Sequence, residues 1–176
     1  MTTEYSVEPA LAVAQQVSGR LADEPCHTLL LAVDPGLLSG VALVGISERT
    51  GELVSLYDDE LPFPEIVLTC RELLQVVPIT GLVVERFTIT PQTGKNSQAG
   101  WSLEIIGCLK MLSYDTAVPL TQQSPASAKS FATNDKLKRL GLWHVGGAGH
   151  ANDALRHAVV AHVKRTWTSQ NLLGED

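Results

Sequence analysis

The sequence predicts a mixed α/β fold: three short strands joined by turns of hairpin length, then helices alternating with further strands. Two runs carry that expectation. TLLLAVD (28–34) is continuously apolar and bounded by Pro35-Gly36, the pattern of a strand buried on both faces. GLVVERF (81–87) repeats the pattern, and both apolar runs end in a carboxylate, Asp34 and Glu85. A third observation, chain size, fits one domain: 176 residues, 44% hydrophobic and 18% charged, enough to build a core.

Taken in order, EPALAVAQQVSGRLA (8–22) reads as an amphipathic helix with Leu11, Ala14, Val17 and Leu21 near helical spacing, closed by Pro25. Strands are expected at 28–34, 40–47 and 52–57, separated by the turn segments PGLLSG and SERTGE, so that the sheet opens as an antiparallel meander. FPEIVLTCRELLQVV (63–77) reads as a helix ended by Pro78. The strand at 81–87 is followed by a polar loop (88–98), a helix at 101–113 and a short strand at 117–122. Ser124-Pro125 is a good N-cap and N1 pair for a helix to about 131, and Thr133 caps a second short helix ending at Gly141. After the glycines at 146, 147 and 149 comes a strong helix at 150–165. Three antiparallel strands followed by alternating helices and strands suit the ribonuclease-H-like topology, a five-stranded mixed sheet flanked by helices. Residues 1–27 read as an N-terminal helical extension, 28–166 as the principal domain and 167–176 as a polar tail.

Several classes are disfavoured. There is no apolar run of about 18 residues and hence no expected membrane span. The first ten residues lack the pattern of a secretory signal, and Cys26, Cys70 and Cys108 are odd in number and far apart; a cytoplasmic location is expected. The net charge of -6 is unevenly spread. Acidic residues dominate 1–123, whereas 124–165 carries Lys129, Lys136, Lys138, Arg139, Arg156, Lys164 and Arg165 against only Asp135 and Asp153. That asymmetry points to a side that faces a polyanion.

The chemistry is expected at the ends of the strands. A carboxylate attached to a buried strand is costly unless positive charge offsets it. If the first and fourth strands are neighbours, Asp34 and Glu85 emerge at one edge about 5 Å apart. His150 and Asp153, three residues apart, share a helix face, and His157 can join them. Three carboxylates and an imidazole suit Mg²⁺ or Mn²⁺. Two such ions about 3.5–4 Å apart can activate a water and stabilise a leaving 3′-oxygen. Lys129 is placed to neutralise charge on a phosphate.

Together, Leu31-Ala32-Val33-Asp34-Pro35-Gly36 with Ser39-Gly40, Val84-Glu85-Arg86-Phe87, and Gly149-His150-Ala151-Asn152-Asp153-Ala154 resemble the RuvC family of Holliday-junction resolvases, in particular its short phage members. The resemblance spans roughly residues 28–163. It implies a metal-dependent endonuclease that cuts branched DNA in the cytoplasm (a host's, if phage-encoded), with Asp34, Glu85, His150 and Asp153 holding two Mg²⁺ or Mn²⁺ ions. It implies Lys129, in Pro125-Ala126-Ser127-Ala128-Lys129, as the active-site lysine, and a homodimer formed through helix 101–113, whose stripe of Leu103, Ile106 and Leu109 or Lys110 serves equally as core. Arg86, Phe87, Lys129, Lys136, Lys138 and Arg156 are the expected DNA contacts. The chain departs from the family in its acidic balance, its first 27 residues and the lack of glycines in Ala132-Thr133-Asn134-Asp135-Lys136. Two other readings stand beside it: a catalytically silent DNA-binding or assembly module, and an actin-like nucleotide-binding domain, which also uses an Asp-x-Gly hairpin.

Overall fold

The computed structural model describes residues 6–89 and 99–173, with side chains for 6–89 and 100–165. The elements in chain order are α1 (Glu8–Asp23), β1 (Cys26–Asp34), β2 (Leu38–Ser47), β3 (Leu53–Pro62), α2 (Glu65–Val76), β4 (Ile79–Glu85), α3 (Ala99–Thr116), β5 (Leu120–Gln123), α4 (Pro125–Phe131), α5 (Asn134–Arg139) and α6 (His150–Leu173). The sheet order is β3-β2-β1-β4-β5. β1 pairs antiparallel with β2 and parallel with β4, and β4 pairs parallel with β5. This is the mixed five-stranded sheet expected from the sequence.

Strand alternation sorts the core into two layers. Leu29, Leu31 and Val33 of β1 and Leu82 and Val84 of β4 face one side, where they meet α1, α2 and α3 through Val17, Ile66, Leu73, Ile105 and Leu109. Leu30, Ala32 and Val83 face the other, packed against Ala154, Leu155 and Ala158 of α6 and Leu137 of α5. Asp34 and Glu85 continue the second series, so both side chains stand on the α6 face of the sheet.

Several boundaries differ from the sequence reading, each for a local reason. β3 runs on to Pro62 although Asp58, Asp59 and Glu60 break its apolar pattern. It is an edge strand, and its ladder with β2 tolerates polar side chains. α1 buries Ala10, Ala14 and Val17, while Leu11 is turned to solvent, 43% exposed. The helix packs on α2 and β3, and the Arg20 guanidinium donates to the carbonyls of Leu56 (2.6 Å) and Ser55 (3.0 Å). α6 continues through Leu173, so most of the expected polar tail is helical backbone. The expected loop at 88–98 lies outside the described residues from 90 onwards, as do 174–176. Among the described residues no helix is long and apolar enough to cross a membrane.

α6 also buries His162, whose Nε2 lies 3.1 Å from the Val44 carbonyl of β2. Desolvation pushes its pKa below the usual 6.5, helped by the charges of Arg165 and His27 and opposed by the Val44 bond. The unfolded chain therefore takes up a proton below about pH 6.5 that the folded chain resists. His162 stabilises the fold fully above that pH, and the contribution is lost as pH falls. Thermal unfolding of the protein and of a His162→Gln variant should show the stability gap narrowing below pH 6.5; a gap that stays level or widens would contradict the burial argument.

Candidate active site

The register of β1 and β4 pairs Val33 with Val84, which sets Asp34 and Glu85 side by side at the same end of the sheet. α6 starts directly over that end. Gly40 of β2, the partner of Asp34 in the antiparallel ladder, lies so close beneath α6 that a Cβ there would sit 1.9 Å from the His150 carbonyl oxygen. His150 Nδ1 is 2.9 Å from Asp34 Oδ2. Asp153, one turn on, accepts from Lys129 Nζ of α4 at 3.0 Å and from Arg156. Glu85 Oε2 is 2.9 Å from His157 Nε2. Ser102 of α3 closes the far side by donating to the Pro35 carbonyl at 2.8 Å.

Electrostatics show the same convergence. The Lys129 ammonium is held above the ordinary lysine range, first by its bond to Asp153 and then by the fields of Asp153, Glu85 and Asp34. His150 is raised above 6.5 mainly by its bond to Asp34, with Glu60 and Asp153 adding to it against the desolvation. One ammonium thus feels all three carboxylates, and one imidazole feels two of them. The structure brings Asp34, Glu85, His150, Asp153 and Lys129 into a single neighbourhood. Beside it opens a cleft of about 780 Å³ lined by Lys129, Asn134, Trp143, Gly147, His150 and Asp153 among others.

The remaining sequence candidates are placed differently. Arg156 was expected at a DNA surface; it is 8% exposed, and its guanidinium donates to the Ala132 carbonyl, Asp153 and Asn134. A helix residue three positions after Asp153 falls on the same inward face, which is why the geometry binds it to that carboxylate. Phe87, partly buried, packs against the first core layer. Arg86 is exposed just past β4. Lys136 donates to the Phe131 carbonyl and lies 4.0 Å from the centre of its ring, and Lys138 lies 4.9 Å from that of Trp143. The stripe on α3 is divided: Ile106 and Leu109 are core, whereas Leu103, with Met111 and Tyr114, is exposed.

Glu60 was not anticipated from the sequence. Its carboxylate, on the edge strand, accepts from the backbone N–H groups of Ala148 (2.7 Å), Gly149 (2.7 Å) and Ala151 (3.2 Å). Burial works against its charge, but these bonds and one from His150 outweigh it and hold the carboxyl below the usual range. An anion at a helix N-terminus also complements the helix dipole. Gly147, with φ +64°, lets the loop pass, since a Cβ there would lie 2.6 Å from the Glu60 carboxylate. Asp58 and His144 (2.6 Å) add a second tie, and Asn152 bonds both the N–H and the carbonyl of His144 at 3.0 Å. The start of α6, which carries His150 and Asp153, is therefore fastened to β3. A cluster of three acidic residues was the one hint, and nothing local said which loop it served.

The donor set, three carboxylates and an imidazole, has the chemistry that Mg²⁺ or Mn²⁺ requires. As the side chains stand, each carboxylate is engaged by a cationic or imidazole partner, and among the described residues no group of three or more His, Cys, Asp or Glu is arranged around a common point for a metal ion.

No family model matches the chain, and no curated protein sequence matches it. Solved structures do. RuvC from Thermus thermophilus superposes with a TM-score of 0.60 at 20% identity, covering 80% of this chain and 97% of that one. The same organism's RuvC in complex with a Holliday-junction substrate gives 0.58 at 19%, covering 75% and 90%. The yeast mitochondrial Holliday junction resolvase Ydc2 gives 0.52 at 13%, covering 89% and 90%. The fold is thus the ribonuclease-H-like α/β fold. Its structural neighbours are RuvC and other Holliday junction resolvases.

Proposed function

We propose that the protein is a divalent-metal-dependent, structure-selective endodeoxyribonuclease that resolves Holliday junctions or other branched DNA. The observation that carries this reading is the convergence of Asp34 and Glu85, from neighbouring parallel strands, with His150 and Asp153 at the start of α6. That convergence occurs on the fold of RuvC-type resolvases.

Asp34, Glu85, His150 and Asp153 would hold Mg²⁺ or Mn²⁺, two per site, which when bound supplies an activated water and neutralises the leaving 3′-oxygen. The rest is done by the chain. Lys129, kept charged by the carboxylates around it, offers an ammonium to the non-bridging phosphate oxygens as charge builds on them. Glu60 and the Asp58–His144 tie keep the start of α6 in place, so that His150 and Asp153 are preorganised over the strand ends. Arg86, Lys136 and Lys138 are available to backbone phosphates as general electrostatic contacts. Arg156 and Phe87 have no such role in this reading.

A four-way junction is nearly two-fold symmetric, so a resolvase needs two centres. The exposed apolar side chains of α3, Leu103, Met111 and Tyr114, offer a face for a second copy of the chain. A Leu103→Arg/Met111→Arg variant should run as a monomer in light scattering where the parent runs as a dimer; equal masses for both would remove α3 from the interface.

The direct test of the function is incubation with four-way junction, flap, linear duplex and RNA–DNA hybrid side by side, with Mg²⁺, with Mn²⁺ and with EDTA. Metal-dependent nicking of the branched DNAs with the linear duplex spared is the expected result. Activity in EDTA, or cutting of duplex and junction alike, would reject the proposal.

A further inference from the structure

His157 is buried beside Glu85, with a side chain 1% exposed. The sequence places it on the face of Asp153, four residues on. The fold gives it another partner. Glu85 and Gln123 are register partners in the parallel ladder of β4 and β5, so their side chains stand next to each other on the α6 face. The His157 ring descends from α6 between them, with Nε2 2.9 Å from Glu85 Oε2 and Nδ1 3.0 Å from Gln123 Oε1. Elsewhere this face of α6 meets the sheet through Ala154, Leu155, Ala158 and Ala161. An aliphatic side chain would serve packing at 157, and a buried imidazole is costly unless both its nitrogens are used.

We propose that His157, itself oriented by Gln123, is a positioning residue that fixes the rotation of the Glu85 carboxylate in the nuclease centre; this rests on the reading of that centre given above. A strand-end glutamate has three rotatable bonds, and its oxygens can sweep over several ångströms. The Nε2–H donates to one of them, because a carboxylate only accepts, and the Gln123 side-chain amide then turns its NH2 to donate to Nδ1. That single bond selects one rotamer and one carboxylate plane, and Gln123 keeps the ring from turning. Partners behind a ligating carboxylate act in this way in metal sites generally, and their loss costs about 10- to 100-fold in affinity or activity.

The test uses His157→Leu, His157→Gln and Gln123→Leu in the full chain. Single-turnover cleavage of a four-way junction in Mn²⁺ should slow about 10- to 100-fold in His157→Leu, with junction affinity within about twofold of the parent. His157→Gln, which keeps an N–H able to reach the carboxylate, should recover part of the rate, and Gln123→Leu should lose less than His157→Leu. A parent-like rate in His157→Leu, or equal losses in the Leu and Gln variants at 157, would overturn the proposal. Should His157→Leu not fold, His157→Gln and Gln123→Leu are compared with the parent: a slower rate in both is expected, and a parent-like rate in both would overturn the proposal. A second measurement is independent of activity: in long-range ¹H–¹⁵N spectra, Glu85→Gln should shift the ring nitrogens of His157, and an unchanged spectrum would overturn the clamp. A protein that holds this clamp yet cuts no branched DNA would refute the nuclease reading while leaving the contact intact, so the two failures are distinguishable.

Discussion

Asp34→Asn is expected to lower cleavage of a four-way junction by about 10³-fold or more while junction binding stays within about threefold. Asparagine keeps the shape of the side chain and an acceptor for His150, so the site is not emptied; what it removes is the negative charge at the end of β1. Junction binding is expected to gain slightly from losing that charge. Asp153→Asn should match this loss of activity, but with a second effect. Asp153 is the common partner of Lys129 and Arg156. Lys129 is well exposed and finds water, whereas the Arg156 side chain, 10% exposed, must rely on Ala132 and Asn134. Asp153→Asn should therefore also destabilise the fold, by about 1–3 kcal/mol, where Asp34→Asn does so much less. Cleavage rates, fluorescence-anisotropy binding and thermal melts on the two variants separate these effects; a variant of either kind that cuts at the parent rate would remove that residue from the centre.

Gly40→Ala should be the most damaging of the one-carbon substitutions. The added methyl would meet backbone, not a movable side chain: the His150 carbonyl oxygen at 1.9 Å and its carbon at 2.2 Å. Relief requires α6 to lift from β2, which breaks the second core layer around Ala42, Val44 and Ala158 and carries His150 and Asp153 away from Asp34. A cost of about 3 kcal/mol or more follows from overpacking against a rigid neighbour, equivalent to a fall in melting temperature of about 6–12 °C for a chain of this size. Residual cleavage should be lost even in the fraction that stays folded. Gly19→Ala is the matched control, since a Cβ there has nothing within 4 Å and lies on the exposed side of α1; it should be neutral or slightly stabilising. A Gly40→Ala protein as stable and active as the parent would contradict the close approach of β2 and α6.

Much of this was legible in the sequence because the informative signals are local and periodic. The two apolar runs ending in Asp34 and Glu85 announce buried strands with a carboxylate at one end, and the order of elements makes those strands neighbours. His150 and Asp153 share a helix face by spacing alone. What stayed hidden depends on contacts between distant parts of the chain. Glu60 serves backbone groups 88 to 91 residues away, and its strand was read as ending at Tyr57 because Asp58-Asp59-Glu60 breaks the apolar pattern. His157 shares a face with Asp153 but reaches Glu85 of β4 and Gln123 of β5, which sequence spacing does not show. Basic residues cannot be sorted by composition: Arg156 and Lys129 both follow the rise in positive charge, yet one is buried in structure and the other stands at the carboxylates. Phe87, an aromatic beside the strand end, is used for packing.

That four side chains from three elements form one cation-dependent centre is most directly tested by titrating Mn²⁺ into the protein and into Asp34→Asn, following free Mn²⁺ by electron paramagnetic resonance. Uptake by the parent and a Kd raised by about tenfold or more in the variant is the result expected. Equal uptake by the two proteins, or no uptake by a parent that nonetheless cuts junctions, would show that Asp34, Glu85, His150 and Asp153 are not the ligands.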